Sequence, residues 1–451
     1  MTEADPRPFD LVLRGGTLVE PSRLVRLDLA VQDGRVAAHL RPGEPAASHA
    51  QLDIAGRHLV PGLVDAHAHL REPGLTHKED FATGTQAAAA GGVTTILVMP
   101  TDEPWTDTAE RLRAKAALTR GRLHVDVAFQ AAVRREAADM RALRVGGAVS
   151  FEVFTADVPG EYRHDTVEAL ADAFDRIAAV DGLIGLSPGD QSLLDAAERR
   201  GGSDFASYCA SRPPLAEAAG IARAIVVAAD TGARVHIRQS NSGLGIDTWR
   251  RLRDLADVSI ETTVQCLLLT AERYRGLGAA IKASPPFRSE RDRLALVAAV
   301  RDGTIDVVAT DHAPHSPAEK AARYPRFSDI PGGLPGLQTL LPCMLHLVDR
   351  GDLGLPDLVR LCAFTPAERF GFGGRKGSLA VGCDADILVL DPQASSTITD
   401  AEQHSKADAS PFAGLTVPYR LDQVFLRGRL VAGNGLLQAE PSGLVQRPSP
   451  G

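Results

Sequence analysis

HLVPGLVDAHAHLR (residues 58–71) and GVTTILVMP (92–100) are apolar runs of strand length, and between them lies KEDFATGTQAAAAG (78–91), Ala-rich and closed by glycine as helices often are. The alternation continues down the chain. Further apolar runs follow at HVDVAFQA (124–131), GAVSFEVF (147–154), GLIGLS (182–187), ARVHIRQS (233–240), DVSIETTV (257–264) and IDVVATDH (305–312). Helical segments such as TAERLRAKAALTRG (108–121) and PPLAEAAGIARAIVVAADTG (213–232) stand between them. Eight strand and helix units in regular alternation predict an α/β fold, a parallel (β/α)8 TIM-like barrel rather than an open doubly wound sheet.

The flanks have a different texture. FDLVLRGGTLV (9–19) and LDLAVQDGRVAAHL (27–40) are β-type runs broken by glycine turns, with Asp33-Gly34 placed as a hairpin turn. GSLAVGCDADILVLD (377–391) and LDQVFLRGRLVAGNGLL (421–437) repeat that texture near the other end. The expectation is one small β domain from residues 1–57 and 373–440, a barrel over 58–372, and a disordered polar tail over 441–451, ending in QRPSPG.

Composition narrows the function. The 451 residues, 44% hydrophobic and 24% charged, are those of a soluble globular protein large enough for a barrel with an accessory domain. A net charge of -8 without a basic run argues against nucleic acid as a partner. MTEADPRPFD lacks the charged-then-apolar order of a signal peptide, and no apolar window reaches membrane-spanning length, so the expected location is cytoplasmic. Five scattered cysteines without a C-x-x-C pair read as reduced thiols.

Chemistry in such a barrel gathers at the C-terminal ends of the strands. His67 and His69, two apart on a strand, point the same way and suit one cation. A lone H-x-H pair also fits surface or hydrogen-bonded core histidines. Asp311-His312 at the end of another run, with the glycine-rich PGGLPG (331–336) behind it, turns the reading toward a metal, and two imidazoles with a carboxylate suit zinc with room for water. Glu152 interrupts an apolar run on the same face as Ser150 and Phe154. A carboxylate there needs a cation or donors, so it is either a further metal ligand, the reading preferred here, or half of an ion pair with an arginine. Ser187 and Gln239 close the fifth and sixth runs. Arg71 and His315 are candidates for holding an anionic substrate, Arg71 because a guanidinium forks onto a carboxylate. Arg71 alone also fits a solvent-exposed arginine, and His315 in DHAPH fits a loop cap or a residue supporting a ligand equally well.

DAHAHLREPGLTHKEDFATGTQAAAAGGVTTILVMP (65–100) resembles the opening of the cyclic amidohydrolases, closest to dihydroorotases, with allantoinases and hydantoinases as cousins. SPPFRSERDR (284–293), DGTIDVVATDHAPH (302–315), GGLPGLQTLLP (332–342), FTPAERFG (364–371) and RKGSLAVGCDADILVLDP (375–392) extend the resemblance over nearly the whole chain. It implies a barrel carrying a β-sandwich made from both chain ends. It implies a two-metal site in which His67, His69 and Asp311 are intact and Glu152 stands at the bridging lysine. The second metal's histidines are replaced by Ser187 and Gln239, and Val264-Gln265-Cys266 stands where Pro-His-His is common. His236 survives, but alternation points it away from Gln239. Arg238 is a candidate for positive charge at the lost metal, although strand parity speaks against it. Dihydroorotases clamp the substrate carboxylate with the arginine that is here Arg71 and an asparagine that is here Thr101.

Three functions follow from the resemblance. One is a hydrolase with a single zinc, in which Asp311 moves the proton while Arg71, His315 and Thr101 meet a carboxylate-bearing ring such as dihydroorotate. Another is an inactive homologue supporting assembly of aspartate carbamoyltransferase. The third is a hydrolase of allantoin or hydantoin. A homo-oligomer is the expected state.

Overall fold

The run 58–66 is cut in two at Pro61-Gly62. In the computed structural model, which describes residues 7–136 and 139–448, His58–Pro61 pairs antiparallel with Ile387–Asp391 and parallel with Phe9–Val19. The barrel's first strand is Leu63–Ala68. The expected barrel boundary at residue 58 therefore falls a few residues early, because those four residues belong to the end domain.

The other runs form barrel strands in the order expected: Val93–Val98, Asp126–Phe129 continued by Ala131–Ala132, Phe151–Phe154, Leu183–Ser187, Arg234–Ile237, Val258–Thr263 and Val307–Ala309. Neighbours pair in parallel. The third strand breaks at Gln130, one part pairing backwards to the second strand and the other forwards to the fourth. Last and first strands meet through the parallel bridge Ala68–His312 and through Thr310, whose backbone N–H donates to Asp65 Oδ1 at 3.0 Å. Helices such as Phe81–Ala90, capped by Asp80 accepting from the Thr83 N–H, cover the outside. Both faces of the sheet are thus buried, which explains why the strands read as continuous apolar runs.

Strands from both chain ends make one nine-stranded mixed sheet. Asp33-Gly34 forms the expected turn between Leu24–Gln32 and Arg35–Leu40, both residues with positive φ. A buried ion cluster locks this domain to the barrel floor: Lys376 Nζ lies 2.6 Å from Asp126, 2.7 Å from Asp386 and 3.0 Å from Asp384. The expectation of a disordered tail over 441–451 is corrected for 443–446. Val445 bridges Val127, and the Leu444 N–H and Gln446 Nε2 donate to Asp126, each at 2.8 Å. Asp126 at a strand edge offers those acceptors, a contact that composition does not reveal; residues 449–451 lie outside the described residues. No helix among the described residues is long and apolar enough to cross a membrane.

Candidate metal and substrate site

His67 and His69 sit at the end of the first strand, and Asp311 follows the eighth. His67 Nε2 and His69 Nε2 both approach Asp311 Oδ1, at 3.3 and 3.2 Å. Among the described residues these three form the one group of His, Cys, Asp or Glu whose donor atoms all lie within 4.8 Å of one another. Asp311 has φ 43°, a left-handed backbone that is unusual outside glycine and aims its carboxylate at the imidazoles.

The far nitrogens are held. His67 Nδ1 lies 2.6 Å from Glu261 Oε1 and His69 Nδ1 lies 2.7 Å from Thr101 Oγ1. Burial raises the Glu261 carboxyl, but Arg238 and His67 outweigh it and hold Glu261 well below the usual carboxylate range. An ionised carboxylate only accepts, so His67 Nδ1 carries a proton, and Nε2, 3.3 Å from Asp311, is the nitrogen left to offer a lone pair to a metal once the ring is neutral. Burial works against charge on His67, yet Asp311 and Glu261 raise it above an ordinary imidazole. His69 goes the other way, pushed down to about 4 by burial and the positive charges of Arg71 and His67, against its bond to Asp311. Two imidazoles, each oriented from behind, and a carboxylate suit a zinc-type ion.

Glu152 is not gathered with these donors. Its oxygens take Arg238 Nη2 at 2.8 Å and Nε at 3.2 Å, and Ser150 Oγ donates to Oε1 at 2.7 Å. The preferred metal-ligand reading of Glu152 therefore gives way to the ion pair with an arginine. That arginine is Arg238, fully buried in the barrel interior. Gly185 on the neighbouring strand makes room, since a Cβ there would meet the Glu152 carboxylate. His236 is also turned inward, with Nε2 3.0 Å from Glu261 Oε2 and Nδ1 2.7 Å from Ser259 Oγ.

Above the donors opens a cavity of about 270 Å³ lined by Arg71, Ser187, Gln239 and Arg288 among others. Ser187 and Gln239 both line this cavity, as neutral groups. Arg71 has φ 57° and a buried Nε without a hydrogen-bond partner, and among the described residues no carboxylate comes within 4.0 Å of it. The two other residues expected at the substrate lie behind the wall. Thr101 is engaged with His69, and His315 Nε2 lies 3.2 Å from the Gly332 carbonyl oxygen, its imidazole pushed down to about 3 by burial and by Arg71 and Lys78. Neither is among the residues that line the cavity; their side chains contact His69 and the Gly332 carbonyl oxygen instead.

Sequence reading missed Glu261 and Arg288. Glu261 carried the same signal as Glu152, a carboxylate inside an apolar run. Arg288 stands in SPPFR, and its Nε donates to Asn241 Oδ1 at 2.9 Å on the cavity's far side.

The Amidohydrolase family profile matches residues 58–431. The chain is 36% identical over 405 residues to a dihydroorotase of Halobacterium salinarum, spanning 87% of this chain and 92% of that one. It is 33% identical over 450 residues to an allantoinase of Rubrobacter xylanophilus, spanning 98% of each. Among solved structures, the L-hydantoinase (dihydropyrimidinase) from Arthrobacter aurescens matches with a TM-score of 0.92 at 29% identity, over 97% of this chain and 100% of that one.

Proposed function

Because the chain belongs to the amidohydrolase family and is a hydrolase of cyclic amides, we propose that it acts on the ring amide of a carboxylate-bearing cyclic ureide of the dihydroorotate type, with one zinc ion held by His67, His69 and Asp311. The observation that carries this reading is Arg71, a guanidinium in the wall of the donor-bearing cavity with no carboxylate within 4.0 Å among the described residues. A half-buried guanidinium whose buried Nε has no partner suits an anion from outside. The single ion is supported by Glu152, whose oxygens are taken by Arg238.

A metal ion at the three donors supplies Lewis acidity toward the ring carbonyl and lowers the pKa of water. Asp311 is placed to move the proton. Burial would raise its carboxyl, but the His67 charge and the His69 contact hold it below the usual range, so it is ionised and ready to accept. It takes the proton of the attacking water and delivers it to the ring nitrogen as the C–N bond breaks. Arg71 binds the substrate carboxylate through its fork and fixes which ring carbonyl faces the donors.

Metal stoichiometry and dihydroorotate hydrolysis, measured on one sample purified without chelator, test the proposal. One zinc per chain with turnover is expected; two tightly held ions, or none, would overturn the single-metal reading. A neutral ring of the hydantoin kind is the second reading, favoured by the match to L-hydantoinase and by Thr101 facing away from the cavity. It predicts turnover of hydantoins or allantoin ahead of dihydroorotate. Zinc binding without turnover of any ring, together with co-purification of aspartate carbamoyltransferase, would replace both with the supporting role.

A further inference from the structure

Beneath the three donors lies a polar network sealed in the barrel. Glu152, Arg238, His236 and Glu261 are all fully buried. A guanidinium has five N–H donors, and every one of Arg238's is used. Nε donates to Glu152 Oε2 at 3.2 Å, Nη2 to Glu152 Oε1 at 2.8 Å and to Gln130 Oε1, and Nη1 to the Ala66 carbonyl at 2.9 Å and Glu261 Oε2 at 3.1 Å. Glu261 is saturated as well. Its Oε2 also faces His236 Nε2 at 3.0 Å, and its Oε1 takes His67 Nδ1 at 2.6 Å and the Gln239 N–H at 3.3 Å.

We propose that Glu261 is the positioning residue of the metal site, fixing His67 in the tautomer that presents Nε2, and that Arg238 is the fixed cation that aims Glu261 and retires Glu152 as a ligand. The inference rests on the reading of His67, His69 and Asp311 as metal donors and adds what sets them up. Two buried carboxylates need positive charge nearby, and Arg238 meets both at once. With its donors spent on one side by Glu152, Gln130 and Ala66, the guanidinium cannot swing. Glu261 is then held with one oxygen downward to Arg238 and His236 and the other upward to His67.

This arrangement is directional, and that makes it testable with the Glu261→Gln variant. Each oxygen faces two donors, but those on Oε2 include the charged, immobile Arg238, so the amide oxygen takes that place and the longer Gln239 N–H contact on the other side is given up. The amide NH2 then faces His67 Nδ1, which has to accept instead of donate. His67 is driven to the Nε2–H tautomer, and the lone pair a metal needs is lost. Glu152→Gln is the matching control, because it also removes one buried charge beside Arg238 but touches no donor nitrogen.

The experiment pairs zinc affinity, measured by competition with a chromophoric chelator, with nitrogen NMR shifts of His67 in metal-free protein at alkaline pH, where the imidazole is neutral. Wild type should show a protonated Nδ1, and Glu261→Gln a protonated Nε2 with zinc binding weakened about 10- to 100-fold or more. Glu152→Gln should keep the Nδ1 proton, one ion per chain and an affinity within a few-fold of wild type. An Nε2–H tautomer in wild type, unchanged affinity in Glu261→Gln, or loss of the ion in Glu152→Gln would each overturn the proposal. The wild-type tautomer decides even if a variant does not fold. Failure of wild type to bind zinc, with the tautomer as stated, would sink the metal reading and leave the positioning of His67 standing.

Discussion

Arg238 and Glu152 form a two-pronged ion pair at the centre of the barrel, Nη2 to Oε1 at 2.8 Å and Nε to Oε2 at 3.2 Å, with both side chains fully buried. Removing one partner strands the other charge in a low-dielectric interior. Glu152→Ala should therefore cost about 3–5 kcal/mol in urea unfolding, while the zinc content of the folded protein stays at one. A stability loss below about 1 kcal/mol would show that the pair is solvated or dispensable.

Gly185 faces that pair from the next strand. A methyl group there would push into the Glu152 carboxylate, which is fixed by Arg238 and cannot yield. Gly185→Ala should lower stability by about 1–3 kcal/mol. Unfolding at unchanged denaturant midpoint would mean the strand relaxes enough to admit it.

The eight strands were legible because both faces of a parallel barrel are apolar, and a short apolar run bounded by glycine records that directly. His67, His69 and Asp311 were legible for a related reason, being ligand-type residues at the ends of such runs. Arg238 was harder. Alternation counted back from Gln239 misplaces it, because Gln239 has φ 41° and lies beyond the strand Arg234–Ile237, so Arg238 continues the inward face of His236 instead. For Thr101 and His315 the guide was position in a motif, which says where a residue lies along the chain and not which way its side chain turns.

Thr101 gives a sharp distinction between those roles. Its hydroxyl is 2.7 Å from His69 Nδ1 and orients the ring from behind. Thr101→Val should weaken zinc binding by about 10-fold or more and leave KM for the ring substrate little changed in zinc-saturated enzyme. A raised KM with unaltered zinc affinity would return Thr101 to the substrate.

Arg71 should discriminate among ring substrates. If it meets a carboxylate, Arg71→Gln removes a charge-assisted contact of about 1.5–3 kcal/mol, a loss of roughly 10- to 150-fold in kcat/KM for dihydroorotate. Turnover of a neutral hydantoin should change by only a few-fold. Equal losses on both rings would place Arg71 in the framework of the loop and not on the substrate.

Acid should destabilise the fold through two histidines that bear no metal. His164 and His236 are both pushed down to about 4, in each case first by burial. In the unfolded chain an imidazole titrates near 6.5, so between about pH 6.5 and 4 the unfolded state binds more protons and stability falls as pH falls. A tenfold difference in proton affinity between the two states is worth about 1.4 kcal/mol, so each histidine contributes a loss of roughly 3 kcal/mol once the pH drops through its folded value. Asp65 opposes this. Burial, resisted by its bonds to Thr310, pushes its carboxyl up to about 6, so below that pH the folded state gains protons first. The readout is therefore a difference: His164→Asn, which keeps a donor for the Tyr162 carbonyl oxygen but cannot titrate, should flatten the urea-midpoint slope between neutral pH and about pH 4.5 relative to wild type. Parallel slopes in the two proteins would show that His164 is protonated in the fold without cost.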